Sequence, residues 1–261
     1  MKTITLHNEK GGVGKTTAAI QIAAGLAIRG KRVILIDTDA SGNATSAVGL
    51  EQRPDFYDLI VRNARWPSVL REPARKFWGK LAGPSGHLYV VGSNEETRNI
   101  ASLIANNWQI RNRLREMDRH VDYVVIDTSP APSLLHTCIA LASDIVIIPT
   151  ECEGLSAFGG VKHSVAHIQN IRDAAAQGNV QVAQTIAILP NRFDARTATH
   201  NSVLESLQHK YGAMVWEPLN EAIIIAEAQL FGQSVFGYAP EHRATEQMWQ
   251  VIDRLQVEVG V

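Results

Sequence analysis

The stretch Lys10-Gly11-Gly12-Val13-Gly14-Lys15-Thr16 restricts this chain more than any other, because of what flanks it. Residues 3–7 form a short apolar run, which reads as a buried strand. Residues 16–29 carry Ile20, Ala23, Ala24, Ala27 and Ile28 at helical spacing. Glycines between a strand and a helix let the backbone turn sharply and let its N–H groups converge without interference from Cβ atoms. The positive end of the helix then faces the same point, which suits an anion. Lys15 stands where it would neutralise phosphate oxygens, and the Thr16 hydroxyl where it would ligate Mg²⁺. The common phosphate-loop pattern has glycine where this chain has Glu9, so the loop is a variant. A Gly-rich turn with a surface lysine is the bland alternative. Lys10 argues against it, since two neighbouring lysines repel unless a polyanion lies between them.

Apolar runs alternate with helix-like stretches along the rest of the chain. Further strands are expected at Arg32–Asp37, at Tyr123–Asp127, and at residues 144–149 and 185–189. Continuous Val/Ile runs fit parallel strands covered on both faces, and the alternation predicts an α/β, doubly wound, mostly parallel sheet with helices on both faces. Gly30 supplies a C-terminal stop for the first helix. Residues 53–86, with Pro54, Pro67, Pro73, Pro84, Trp66 and Trp78, read as helical excursions and loops. No repeat, low-complexity tract or linker appears, so residues 1–261 are expected to form one domain.

Composition narrows the function classes. The 25 Lys+Arg against 26 Asp+Glu give a net charge of -1, which excludes a heavily basic binder but not a local basic face. Cys138 and Cys152 lack metal-ligand spacing and read as reduced core thiols. The opening residues are too briefly apolar for a secretory signal, and no run approaches the ~20 residues of a membrane helix. The nine histidines are scattered and read as surface or packing residues.

Four more positions carry possible chemistry. Asp37 and Asp39 at a strand end serve equally well as turn-capping carboxylates. Asp127 ends an apolar strand, where it caps a loop or faces Mg²⁺, a cation held by one or two carboxylates plus phosphates and waters. Asn191 reads as a turn asparagine or a hydrogen-bonding side chain. Arg196 reads as a solvated surface charge or a contact.

The string Lys10-Gly-Gly-Val-Gly-Lys-Thr-Thr resembles the deviant Walker A loop of the ParA/MinD superfamily of ATPases. The resemblance continues through Asp37-Thr38-Asp39-Ala40-Ser41-Gly42-Asn43-Ala44-Thr45, which looks like switch I. It extends to Tyr123–Asp127 with Thr128-Ser129-Pro130, similar to Walker B and switch II, and to Leu189-Pro190-Asn191 and Glu227-Ala228. It implies that residues 10–17, including Val13 and Thr17, bind ATP, with Lys10 reaching across a dimer to the partner's nucleotide. It further implies that Asp39 orients the attacking water, that Thr16, Asp37 and Asp127 serve Mg²⁺, and that Asn191 meets the base. Ala40-Ser41 stands where the family commonly has Pro-Gln.

Within that family, the two cysteines do not sit in iron–sulfur motifs, and neither a basic amphipathic membrane helix at the end nor an N-terminal helix-turn-helix extension is expected from these residues. The resemblance is to short ParA/Soj-like partition proteins. It implies an ATP-bound homodimer, non-specific DNA binding, and hydrolysis stimulated by a ParB-like or other small partner, in the cytoplasm at the nucleoid and without membrane binding. Arg196 falls at a DNA-contacting arginine of the family. Ile223, Ile224 and Ile225 are apolar where relatives often carry another. Arg192, His200, His209, Lys210 and Arg243 are further basic candidates. Positioning of a protein cargo on the nucleoid is the alternative function. A metabolic phosphoryl-transfer or ligase enzyme is a third reading, and no further acid/base constellation supports it.

Overall fold

The computed structural model describes residues 1–178, 182 and 185–260, leaving aside the side chains of 155 and 156. Its centre is a six-stranded sheet, β1 (Lys2–Leu6), β2 (Arg32–Asp37), β3 (His87–Val91), β4 (Tyr123–Asp127), β5 (Ile145–Glu151) and β6 (Thr185–Asn191). The order across the sheet is β3-β2-β4-β1-β5-β6, and every pairing is parallel. All strands therefore end on one edge, and β1 lies inside the sheet between β4 and β5. Loops at such carboxyl ends form the usual crevice of an open α/β sheet.

The two-residue period of the strands divides the core. Val33, Leu35, Tyr123 and Val125 face the first helix, Lys15–Ile28, and the last, Arg243–Val259. Ile34, Ile36, Val124 and Ile126 face the opposite layer, which includes the Gln109–Arg115 and Leu134–Ala142 helices. Continuous apolar runs are thus explained by burial on both faces. Lys15–Ile28 is buried nearly all round because the last helix covers its outer side, where Gly25 meets Ile252 and Phe236. Gly30 ends it at φ 83, a left-handed conformation that glycine adopts without Cβ strain.

β3 was not among the strands expected from sequence. It is a short strand at the edge of the sheet, and its free side pairs with Arg71 through an antiparallel bridge of 3.0 and 2.7 Å. The preceding segment forms short helices at Asp55–Ile60 and Trp66–Val69 and a 3₁₀ turn at Arg75–Trp78, in line with the expected excursions. Trp66 and Phe77 are buried there as packing residues. β5 and β6 run two residues beyond their expected ends, and this extension brings Glu151 and Asn191 opposite each other. Cys138 and Cys152 are free and buried, and burial pushes both thiols up to about 11. No helix among the described residues is long and apolar enough to cross a membrane.

Candidate nucleotide site

The glycine loop connects the carboxyl end of β1 to the first helix. Gly14 is the helix N-cap at φ 93 with no side-chain cap, so the first-turn amides keep their donors for an external anion. A side chain at Gly14 would be strained and would also collide with the Asn191 amide. Gly11 and Gly12 border open space, where a Cβ would meet nothing within 4 Å. The loop is closed tightly at Gly14 and open at its crest.

Lys15 is only 6% exposed, and its ammonium donates to the Lys10 carbonyl at 3.0 Å. Burial lowers its pKa, while the nearby Asp127 and Asp39 carboxylates oppose the shift. A largely desolvated cation with one neutral partner is suited to receive an anion.

Strand register gathers the carboxylates. Asp127 on β4 lies level with Leu6 at the root of the loop and with Asp37 on β2. Neither Asp127 oxygen accepts a well-formed hydrogen bond among the described residues, although the side chain is wholly buried. Burial raises its pKa well above the usual carboxylate range and the Asp37 carboxylate adds to the rise, against the Thr16 hydroxyl and Lys15 ammonium. Such an orphaned buried carboxylate is a costly arrangement unless a cation or its water shell completes it. Thr16 and Asp127, with phosphate oxygens of a bound nucleotide, would make a donor set of the kind Mg²⁺ takes.

Asp37 is differently placed. Its Oδ2 accepts from the Thr45 backbone N–H at 2.9 Å and hydroxyl at 2.7 Å, and its Oδ1 from the Asp39 N–H at 3.1 Å. It anchors the segment that follows β2 from a position beside Asp127. Asp39 is partly exposed on that segment, with Oδ1 accepting from the Ser41 N–H. Gln52 Nε2 donates to the Ser41 carbonyl at 2.7 Å and braces the Ala40-Ser41 turn.

Asn191 Nδ2 donates to the Val13 carbonyl at 3.0 Å, joining the end of β6 to the loop. It borders a cleft of about 270 Å³ with Gly14, Thr17, Asn220, Glu221 and Gln229, beside the loop. Thr17 donates to Gln229 at 3.2 Å and so links the first helix to the Ile223–Leu230 helix. Lys10 pairs with Glu151 of its own chain at 3.2 Å. Arg196 lies apart, 91% exposed at its side chain and doubly bonded to Asp194 at 3.0 and 2.9 Å. Sequence reasoning missed Glu151 and Gln229, which lie 141 and 212 residues from their partners and belong to no motif it used.

A glycine loop at the end of an interior parallel strand, with a carboxylate at the same level on the next strand, defines a P-loop nucleotide-binding fold. The AAA domain family matches residues 1–182. The chain is 32% identical over 241 residues to the chromosome-partitioning ATPase Soj of Thermus thermophilus, covering 92% of this chain and 89% of that one. It is 28% identical over 253 residues to the sporulation initiation inhibitor protein Soj of Bacillus subtilis, covering 94% of each. The McdA of Cyanothece solved as an ATP complex has the same fold, with a TM-score of 0.79 at 18% identity over 100% of this chain and 97% of that one. The chain belongs to the ParA/MinD family, as a ParA-like member of the P-loop ATPases.

Proposed function

We propose that residues 1–261 act as one ParA-like domain that hydrolyses ATP, dimerises with ATP bound, and segregates a plasmid or chromosome through non-specific DNA binding. The observation that carries this reading is the wholly buried Asp127 carboxylate, which accepts no well-formed hydrogen bond among the described residues, beside an uncapped glycine loop. On this reading the loop amides and Lys15 hold the phosphates, while Lys15 exchanges the Lys10 carbonyl for phosphate oxygen. Thr16 and Asp127 hold Mg²⁺, with Asp37 fixing the neighbouring backbone. Mg²⁺, when bound, supplies positive charge that offsets the phosphate oxygens. Asp39 orients the attacking water from the segment that Asp37 anchors. Asn191 holds the loop at Val13 and faces the cleft that would take the base. Lys10 acts on the partner's nucleotide, and a small ParB-like protein stimulates turnover. The chain works in the cytoplasm at the nucleoid, without membrane contact.

DNA contact by Arg196 requires its guanidinium to exchange the Asp194 carboxylate for a DNA phosphate. Binding of this kind is electrostatic and strongly salt-dependent. A titration of non-specific duplex with ADP, ATP and a non-hydrolysable analogue at 50 and 200 mM salt tests it. Binding is expected only with the triphosphates, with affinity falling at least tenfold between the two salts. Nucleotide-independent binding, or none at either salt, would remove the segregation reading.

One observation favours positioning of a protein cargo as the second reading. Ile223, Leu230 and Phe231 are 75%, 83% and 54% exposed on and beside the Ile223–Leu230 helix. An apolar surface of this kind suits a protein better than a phosphate backbone. Absence of DNA binding at both salts, with ATP-dependent dimerisation intact, would favour it.

A further inference from the structure

Lys10 is held inside its own subunit by a side chain that no motif identifies. Glu151, at the end of β5, is 10% exposed and is shared by two cations. Its Oε2 lies 3.2 Å from Lys10 Nζ and its Oε1 accepts from Arg192 Nη1 at 2.5 Å. Arg192 follows β6 directly and takes φ 51, a left-handed conformation uncommon for a non-glycine residue. The Asn191 side-chain oxygen supports it by accepting from the Arg192 N–H at 3.0 Å. On the loop side, Asn8 accepts from the Lys10 N–H at 2.9 Å and donates to the Pro149 carbonyl at 2.8 Å. The start of the loop is therefore moored to β5, and the Lys10 side chain is laid against the strand's last residue.

The second cation matters most. A mostly buried carboxylate that loses its only counter-ion is left at high cost. Here Arg192 remains after Lys10 leaves, so Glu151 never stands as a bare charge. Lys10 is also 37% exposed and can reach solvent without unpacking a core. The pair is firm enough to fix Lys10 in the free chain and loose enough to release it to a competing polyanion.

We infer that Glu151 is a positioning residue that holds Lys10 in cis in the free chain, with Arg192 as the retained counter-cation that lets Lys10 depart to a partner's nucleotide. This rests on the proposed ATP-dependent dimer. Neutralising Glu151 should free Lys10 and ease dimerisation. Removing Arg192 should leave Glu151 dependent on Lys10 and hinder it.

The test combines two readouts on the full chain. Dimer dissociation constants are measured by analytical ultracentrifugation at saturating non-hydrolysable ATP analogue and Mg²⁺, for wild type, Glu151→Gln and Arg192→Ala, each with and without Lys10→Ala. Glu151→Gln is expected to tighten the dimer about fivefold and Arg192→Ala to weaken it by a similar factor. Both effects should vanish in the Lys10→Ala background. Separately, acylation of Lys10 in the nucleotide-free chain is followed by mass spectrometry against Lys80, and Glu151→Gln should accelerate labelling at Lys10 alone. Unchanged Lys10 labelling overturns the clamp whatever the assembly state, as does a Glu151→Gln effect on dimerisation that persists without Lys10. Accelerated labelling in a chain that stays monomeric with nucleotide confirms the clamp and sinks the dimer reading instead.

Discussion

Lys15 lies buried against the Lys10 carbonyl, so it carries a desolvation cost that bound phosphate would offset. Lys15→Ala should therefore lower ATP affinity by at least tenfold, a loss of about 1.4 kcal/mol or more, in a titration with fluorescent nucleotide. Asp39 makes a different prediction, because it lies on the segment after β2 and its side chain accepts from the Ser41 N–H beside it. Asp39→Ala should retain nucleotide binding and a lasting ATP-bound dimer by light scattering while its steady-state hydrolysis falls. Brisk turnover in that variant would take away the role given to Asp39. At this scale the loop was legible because glycine, lysine and threonine each answer a local demand of phosphate. The hydrogen bond from Asn191 to the Val13 carbonyl was not legible. It depends on how two distant strands end beside each other, and nothing local to residue 191 encodes it.

Elements were legible in proportion to how fully they are buried. β4, in the middle of the sheet, has an unbroken apolar signature with every residue buried, whereas β3 at the edge has an exposed His87 and a half-buried Tyr89. An edge strand needs an apolar side chain only where it meets the core, and five residues are too few to show the alternation clearly. The first helix shows the converse. Its spacing marked it as a helix, but not that the last helix covers its outer side. Gly25 sits at that crossing, where added side-chain volume meets Ile252 and Phe236. Gly25→Val should destabilise the fold by about 1–3 kcal/mol through overpacking, read as a lower urea midpoint at unchanged m-value. Gly30→Ala, at a left-handed helix end with no close neighbour except Ser85, tests backbone strain separately.

For the whole molecule, one pH-dependent contribution to stability comes from imidazoles beneath the loop. His7 packs against His136 and His167 at centroid distances of 5.6 and 5.8 Å. Burial first, then the two neighbouring imidazoles and Lys15, lower its pKa from 6.5 to about 3. The unfolded chain therefore takes up the proton first, between pH 6.5 and 3. The contribution is complete above pH 6.5 and declines as the medium is acidified, by about 2 kcal/mol at pH 5. His136 shifts in the same direction. The buried Asp127 and Asp37 carboxylates act in the opposite sense, so the check is the comparison by urea unfolding at pH 7 and pH 5: His7→Asn should lose less stability on acidification than the wild type. The position of β1 carries a consequence for synthesis on the ribosome. Its hydrogen-bonding neighbours are β4 and β5, whose first residues are Tyr123 and Ile145. β1 thus waits until synthesis has passed Tyr123 before it can be flanked on either side, and until then the loop it carries has no floor of sheet beneath it. Nascent chains released short of Tyr123 should fail to retain triphosphate, however intact the glycine motif they already contain.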